Sequence, residues 1–468
     1  MNRKKFYKPF TFLLAASLFA GCSSKGASDA STNGNGSSEN TISGEITVLT
    51  NRTDLVDTKL PEYAEEFNKT YPDVEVNFEA LTDYEGQTKV RLNSQDYGDV
   101  LLIPYMPRNE LPQFFEPLGK EEELLEKYLF ADEYSYEGTT YGIPVQVNTY
   151  GAVYNKKVFE DAGVTEIPST PQEFLDAMKK IKENTDATPY YTNFSAGWPL
   201  SDWENQRLAI AGEGDYVSQQ VPHIDDPFAE GRPHHTLYKL MYDLANQDLI
   251  EEDPFTTDWE QSKQMLADGE VGAMFLGVWA VSQVQALTDN PEDIAYMPFP
   301  FTHEDGSRYA AMAGDYKMGI NKYSENKEAA RAWLDWFINE SGFAVEAGAI
   351  SPVKGAELPE SLADFETANV QFIENLPAKE GEEDLFGKLD QESEVGFGLD
   401  AFKQRIIEAG IGNRDESYED ITKELNQKWK EAREELGVEE NFLVIIKKEE
   451  GLGSSSFWIM SSINYWNN

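Results

Sequence analysis

From about Gly44 the chain alternates short apolar runs with apolar positions at helical spacing. EITVLT (45–50) is a β-branched run, and Leu60, Tyr63, Ala64 and Phe67 then fall on one helical face. VEVNFEA (74–80) alternates again, a helix is predicted near Tyr84–Gln95, and VLLI (100–103) is apolar throughout, as suits a strand buried on both faces. Strand, helix and strand in this order predict a parallel sheet with crossover helices. Thr149–Asn155 predicts a further strand. Helical spacing runs through 156–163, 171–184, about 199–212, 236–247 and 259–268, and AMFL (273–276) and AYMPF (295–299) then read as strands. NKEAARAWLDWFI (326–338) sets Ala330, Trp333, Leu334 and Phe337 on one face of an amphipathic helix, and more helix is predicted up to Gly437. No repeat at a solenoid period is present, and the length from Gly44 to Glu440 leaves room for two cores.

Both ends depart from this pattern. The first residues carry Arg3, Lys4, Lys5 and Lys8, then an apolar core from Phe10 to Ala20, then Gly21-Cys22. A positive head, a short apolar middle and small residues before a processing point mark a secretory signal. The core is too short to span a bilayer, which takes about 20 residues of helix. Residues 1–21 resemble a bacterial lipoprotein signal, in which Cys22 is acylated and becomes the mature N-terminus. Cys22 is the one cysteine of the chain, so folding owes nothing to an internal disulfide. Residues 22–43 are small and polar, and read as a tether with an end-to-end distance of roughly 25 Å. Residues 441–468 are apolar, aromatic and aperiodic. They read either as read-through or frameshifted sequence or as a genuine tail, and in both cases are too short in apolar run to span a membrane.

Charge and motif content narrow the function classes. Eighty-four acidic residues against 39 basic ones give a net charge of −45, and loss of the signal would make the chain more acidic still. Such a surface repels nucleic acid and anionic lipid, so neither is an expected partner. Of the four histidines, His234 and His235 are adjacent and would point about 100° apart on a helix, while His223 and His303 stand alone. HExxH, CxxC, GxSxG and GxxxxGK[ST] are all absent, which leaves no metal site, no ATP site and no catalytic constellation to nominate.

The tryptophans point elsewhere. Trp198 and Trp203 fall in NFSAGWPLSDWENQ, Trp259 in TTDWEQS and Trp279 in AMFLGVWAVSQVQA, all among polar residues and glycine. An indole offers a flat partner for the C–H face of a pyranose, and neighbouring Asp, Asn, Gln and Arg can bond the hydroxyls.

Five stretches, in order, carry a resemblance. YGIPVQVNTYGAVYNKKVFEDAGVTEIPSTPQEFLDAMKKIKE (141–183) is similar to the crossover segment of extracellular solute-binding proteins of sugar ABC transporters. GDVLLIP (98–104) resembles the third strand of the first lobe in that family, and GEVGAMFLGVWAVSQV (269–284) the strand–glycine–Trp–helix element of the second. GDYKMGINKYSENKEAARAWLDWF (314–337) resembles the return to the first lobe, and GAISPVKG (348–355) the final crossing. The resemblance covers about Gly44 to Glu440.

It implies an α/β, two-lobed periplasmic-binding-protein-like fold (type II), with parallel-type sheets flanked by helices and three interlobe crossings. The crossings are expected near Val147–Gly151, Ser307–Ala311 and Gly348–Pro352, with lobe one at 44–149 plus 310–348 and lobe two at 150–309 plus 349–440. Matching positions suggest Asn51, Arg52 and Asp54 after the first strand, and Gln146 and Asn148 on the linker. Trp279 would stack on sugar, with Trp198 as a cleft wall, and Asp315 and Tyr316 would face the cleft. Asp54 also precedes a helix, where it could instead serve as an N-cap. Met106-Pro107 stands where maltose-binding members carry an Asp-Arg pair, which leaves Tyr105 nearby and argues against maltose itself. Trp203 completes the expected site. The resemblance implies a monomeric, lipid-anchored binding component of an importer, with an oligosaccharide as ligand, membrane permease subunits as partners and no cofactor. A surface enzyme acting on polysaccharide and a sugar-sensing or adhesion module are the alternatives.

Overall fold

A computed structural model describes residues 42–438. The signal with Cys22, the tether up to residue 41 and the tail from Asn441 lie outside the described residues. The protein has two α/β lobes, each built on its own sheet. In the first sheet the strand order is Val74–Ala80, Gly44–Thr50, Val100–Leu102, Lys317–Ile320 and Ile143–Pro144. Gly44–Thr50 pairs in parallel with both of its neighbours, as the strand–helix–strand pattern requires, and Lys317–Ile320 enters antiparallel. In the second sheet the order is Val370–Glu374, Arg308–Gly314, Val147–Asn155, Val271–Gly277 and Thr188–Tyr190, with Ile294–Pro298 also on Val147–Asn155. This sheet is mixed: every partner of Val147–Asn155 runs antiparallel to it.

Local chemistry sets several helix starts. Asp83, Asn155, Thr170 and Asp258 each accept a hydrogen bond from a first-turn N–H of the helix that follows, and Ser417 with Asp420 forms a capping box. In Lys327–Asn339 the predicted face is the buried one: Ala330, Trp333, Leu334 and Phe337 pack into the first lobe's core. The expected helix at 199–212 is instead three short segments, Trp198–Ser201, Asp202–Gln206 and Arg207–Ala211. Apolar spacing cannot detect the 3₁₀ turn in the middle, which rotates Trp203 and Glu204 inward.

The chain changes sheets at Val145–Gln146 and again at Asp315–Tyr316. Val147–Gly151 and Ser307–Ala311, expected as crossings, fall instead in or at the start of two second-sheet strands, Val147–Asn155 and Arg308–Gly314, which pair with each other. The Tyr309-Ala-Ala-Met run has too little alternation to announce a strand. The first and third passages are bonded together: Val147 N–H donates to Ile350 O at 2.8 Å and Ile350 N–H to Val147 O at 3.1 Å. The first and second are joined by Asp315 N–H to Gln146 O at 2.9 Å and Val145 N–H to Tyr316 O at 3.0 Å.

Within the second lobe's core sits a buried ionic group. The Glu204 carboxylate accepts from Tyr238 Oη, lies 3.4 Å from His234 Nε2 and 3.6 Å from Arg207, and His234 Nδ1 is 3.0 Å from Tyr216 Oη. Lys403, also buried, donates to Phe397 O and Leu399 O. Burial opposes ionisation of Glu204, but the charge and hydrogen bond of His234, then Lys403 and Arg207, hold its pKa down to about 2. A carboxylate with a depressed folded pKa contributes stability that is present above its ordinary value of 4.5 and is lost as the pH falls toward 2. Glu204→Gln leaves the neighbouring cations uncompensated, so it is expected to cost about 3–5 kcal/mol at neutral pH. Thermal melts from pH 7 down to pH 2 should also show a shallower acid limb in the variant. Equal melting temperatures at pH 7 would contradict the structural role given to this group.

Candidate functional site

The passages between the lobes form the base of a cleft. Gln146 and Asn148 are almost fully buried there, at 4% and 6% exposure. Gln146 Nε2 donates to Asp315 Oδ2 at 2.8 Å and makes a longer contact of 3.4 Å to Asn148 Oδ1. Asp315 Oδ1 accepts from Tyr316 N–H at 2.7 Å. Two passages are thereby joined through side chains as well as backbone.

The first lobe contributes the loop after its first strand. Asn51 and Arg52 line one cavity together with Gln146, Asp315, Tyr316 and Phe343. Arg52 forms a two-pronged pair with Asp54, at 2.9 Å and 2.7 Å, and its guanidinium lies 5.8 Å from the Phe343 ring centre. Asp54 is therefore not an N-cap: the next helix begins at Lys59, behind Thr58. Burial alone would raise the Asp54 carboxyl. The hydrogen bond and charge of Arg52, with a smaller contribution from Lys263 of the second lobe, instead hold it below the usual carboxylate range. Lys263 rests over the Trp259 ring at 5.1 Å, so the loop of one lobe and the aromatic wall of the other lie within electrostatic reach. Tyr105 is 80% exposed on the first lobe's rim, and its backbone N–H donates to Glu85 Oε2 at 3.1 Å. Glu85 also bonds the Tyr316 hydroxyl, linking rim to base.

The second lobe contributes three indoles. Trp198, Trp259 and Trp279 each occupy the first residue of a helix, so that chain reversal delivers them to one place. Their ring centres are 4.9 Å apart for Trp198–Trp259, 5.8 Å for Trp198–Trp279 and 5.9 Å for Trp259–Trp279. Trp198 is 42% exposed and the other two are half-buried. Glycine is needed at 277, where a Cβ would lie 2.4 Å from Trp279 Nε1, because the indole folds back over this backbone. Gly197, at φ +76°, turns the chain into Trp198 in a conformation that side chains disfavour.

The structure thus brings Asn51, Arg52, Gln146, Asp315 and Tyr316 to one cavity, with Asn148 bonded to Gln146 and Asp54 beside Arg52, while Tyr105 is exposed on the first lobe and Trp198 and Trp279 cluster with Trp259 on the second. Trp203 is a correction. It is 1% exposed and packs edge-on against Phe275 at 4.9 Å and Tyr190 at 5.8 Å, inside the second lobe's core. Trp259, named with the other tryptophans but not among the expected site residues, joins Trp198 and Trp279 instead. Sequence reasoning also missed Glu85, Phe343 and Asp202. Asp202 packs above the central strand beside the Gly277 backbone, and its Oδ1 accepts from Asn205 Nδ2 at 3.3 Å. Burial, and secondarily the charge of Asp315, push its pKa up to about 7 against the opposing pull of those two neighbours. Its neighbour Trp203 drew attention as an aromatic, while one aspartate among so many carried no distinguishing signal. Among the described residues no group of three His, Cys, Asp or Glu side chains is arranged to hold a metal ion, and no helix is long and apolar enough to cross a membrane.

Residues 53–342 match the family model described as bacterial extracellular solute-binding protein. A maltotriose-binding protein of Pyrococcus abyssi is 24% identical over 285 residues, which cover 58% of this chain and 58% of that one. A diacetylchitobiose binding protein of Streptomyces coelicolor is 30% identical over 206 residues, covering 40% of this chain and 44% of its own length. The chain therefore spans about half the length of these curated relatives. Among solved structures, a manno-oligosaccharide specific solute binding protein from Bifidobacterium animalis subsp. lactis, in complex with mannotriose, superposes with a TM-score of 0.77 at 37% identity, covering 84% of this chain and 95% of that one. A binding protein of an ABC transporter from the same organism, in complex with mannobiose, gives 0.76 at 38% identity, with coverage of 84% and 95%.

Proposed function

The chain belongs to the family of bacterial extracellular solute-binding proteins, and from that premise we propose that it captures a manno-oligosaccharide between its two lobes for an ABC importer. It is a binding protein, not an enzyme. The observation that carries the carbohydrate reading is the cluster of Trp198, Trp259 and Trp279 on the second lobe, beside the polar base of Gln146, Asn148 and Asp315 and the loop bearing Asn51, Arg52 and Asp54, which Lys263 next to Trp259 reaches electrostatically. Indole faces suit the C–H faces of successive sugar units, and the polar base suits hydroxyls. Similarity to two proteins solved with mannose oligomers supports mannose as the sugar.

In this reading the lobes move as bodies about the passages at Val145–Gln146, Asp315–Tyr316 and Ile350. Ligand favours the closed form because closure alone lets both walls touch it, and its free energy of binding is then spent on the domain equilibrium. Membrane permease subunits recognise the closed form, take the sugar and release the open one. The protein acts as a monomer, without cofactor, on the outer face of the cell membrane, tethered through acylated Cys22.

Trp279→Ala should weaken mannotriose binding in calorimetric titration by at least about tenfold, the scale of one aromatic contact with its buried area. Its melting temperature should hardly move. Trp203→Ala should do the reverse, costing about 3–5 kcal/mol of stability as a core truncation. A Trp279→Ala protein that unfolds would return that residue to the core. For the anchor, Cys22→Ala should shift the protein from the membrane fraction to the medium, and retention of the variant on membranes would refute lipidation at that residue.

A further inference from the structure

Two acceptor atoms are closed off from solvent and have no hydrogen-bond partner: Gln146 Oε1, at the base of the cleft, and Asp202 Oδ2, on the segment packed over the second sheet. Gln146 is 4% exposed and lines the cavity shared with Asn51, Arg52 and Asp315. Its amide nitrogen is committed to Asp315 Oδ2, a carboxylate that can only accept, which fixes the amide orientation and leaves Oε1 over. The other oxygen of Asp202 is taken by Asn205.

The register of the sheet brings these atoms together. Asp202–Gln206 packs on the strands Val147–Asn155, Val271–Gly277 and Arg308–Gly314. Gly277 lies opposite Tyr150, Ala313 opposite Asn148 and Gly314 opposite Val147. Asp202, beside Gly277 and within electrostatic reach of Asp315, therefore lies over the central strand close to its first-lobe end, where Gln146 and Asp315 sit. A buried acceptor left unmet is destabilising, and more so when it belongs to a carboxylate. Asp202 bears a further cost from the like charge of Asp315. Such a cost is retained where a ligand supplies the missing donor. Sugar hydroxyls donate. A uronate carboxylate does not, and would bring another negative charge beside Asp202 and Asp315.

We propose that Asp202, with Gln146, receives hydroxyl hydrogens of the sugar unit lodged at the base of the cleft, and that these acceptors restrict that unit to an uncharged sugar. The inference rests on the carbohydrate reading above. It is tested at pH 8.5, above the value of about 7 to which burial pushes the Asp202 carboxyl so that it is ionised, by calorimetric titration of the full chain and its Asp202→Asn variant with mannotriose and with trigalacturonate, with thermal melts of both proteins. Asparagine keeps the shape and one acceptor, but sets an N–H₂ donor where Oδ2 stood. Mannotriose affinity is expected to fall about tenfold or more in the variant, as for loss of a hydrogen bond to a charged group. The melting temperature should hold or rise, because an unpaired buried charge is removed. Trigalacturonate should bind the unmodified protein at least about 100-fold more weakly than mannotriose, a comparison that needs no variant. Wild-type affinity for mannotriose in Asp202→Asn would overturn the role of Asp202, and equal affinity of the unmodified protein for the two trisaccharides would overturn the restriction. A folded protein that binds neither would overturn the carbohydrate reading and this inference with it.

Discussion

The backbone bonds among the three interlobe passages are the constraint on which the rest of the structure depends. Val147 and Ile350 exchange both of their hydrogen bonds, and Val145, Gln146, Asp315 and Tyr316 are tied pairwise, so three separate stretches of chain meet along one seam. A seam of this kind resists translation of one lobe over the other and leaves rotation as the soft coordinate. It also fixes what the cleft is made of. In the proposed function, side chains on the seam meet ligand from below, whereas the Asn51–Asp54 loop and the tryptophan cluster reach it from either side. The Gln146–Asp315 bond joins the same two passages through side chains, so groups suited to contact ligand also belong to the hinge.

Stability is distributed unevenly around that seam. Away from the cleft, the second lobe buries a charged group whose members are nearly all paired: Glu204 with Tyr238, His234 and Arg207, and Lys403 with two carbonyls. Two residues before Glu204, Asp202 is held at a pKa of about 7 by burial and by Asp315, with one oxygen unmet. The short 3₁₀ segment thus has a secured inner end and an unsatisfied outer end. That contrast is what a rigid support for a binding group requires: the cost of holding Asp202 in place is offset by packing that ligand does not disturb.

Much of the fold was legible in the chain because its signals are periodic. The Gly44–Thr50, Val74–Ala80 and Val100–Leu102 strands and the Lys327–Asn339 helix follow from apolar spacing alone. The Arg308–Gly314 strand did not, because small residues in its middle blur the alternation, and the expected second crossing fell inside it. At the site, Asn51, Arg52, Gln146, Asp315 and Tyr316 share one cavity, while Trp198 and Trp279 cluster with Trp259 on the second lobe. Tryptophans were harder to sort. Trp203 and Trp259 both stand among polar residues, yet one is rotated into the core by a 3₁₀ turn and the other is delivered to the surface at a helix start. Local sequence does not encode that difference; it depends on which strands lie beneath. Asp202 and Glu85 were invisible for a related reason, since a single carboxylate becomes notable only through neighbours distant in sequence.

Small-angle X-ray scattering of the protein, free and with saturating mannotriose, tests the central claim most directly, because it reports rotation about the seam. The account predicts a smaller radius of gyration with ligand and a return to the free value on its removal. Scattering that is unchanged at a concentration shown by titration to saturate the protein would contradict closure of the two lobes on a sugar.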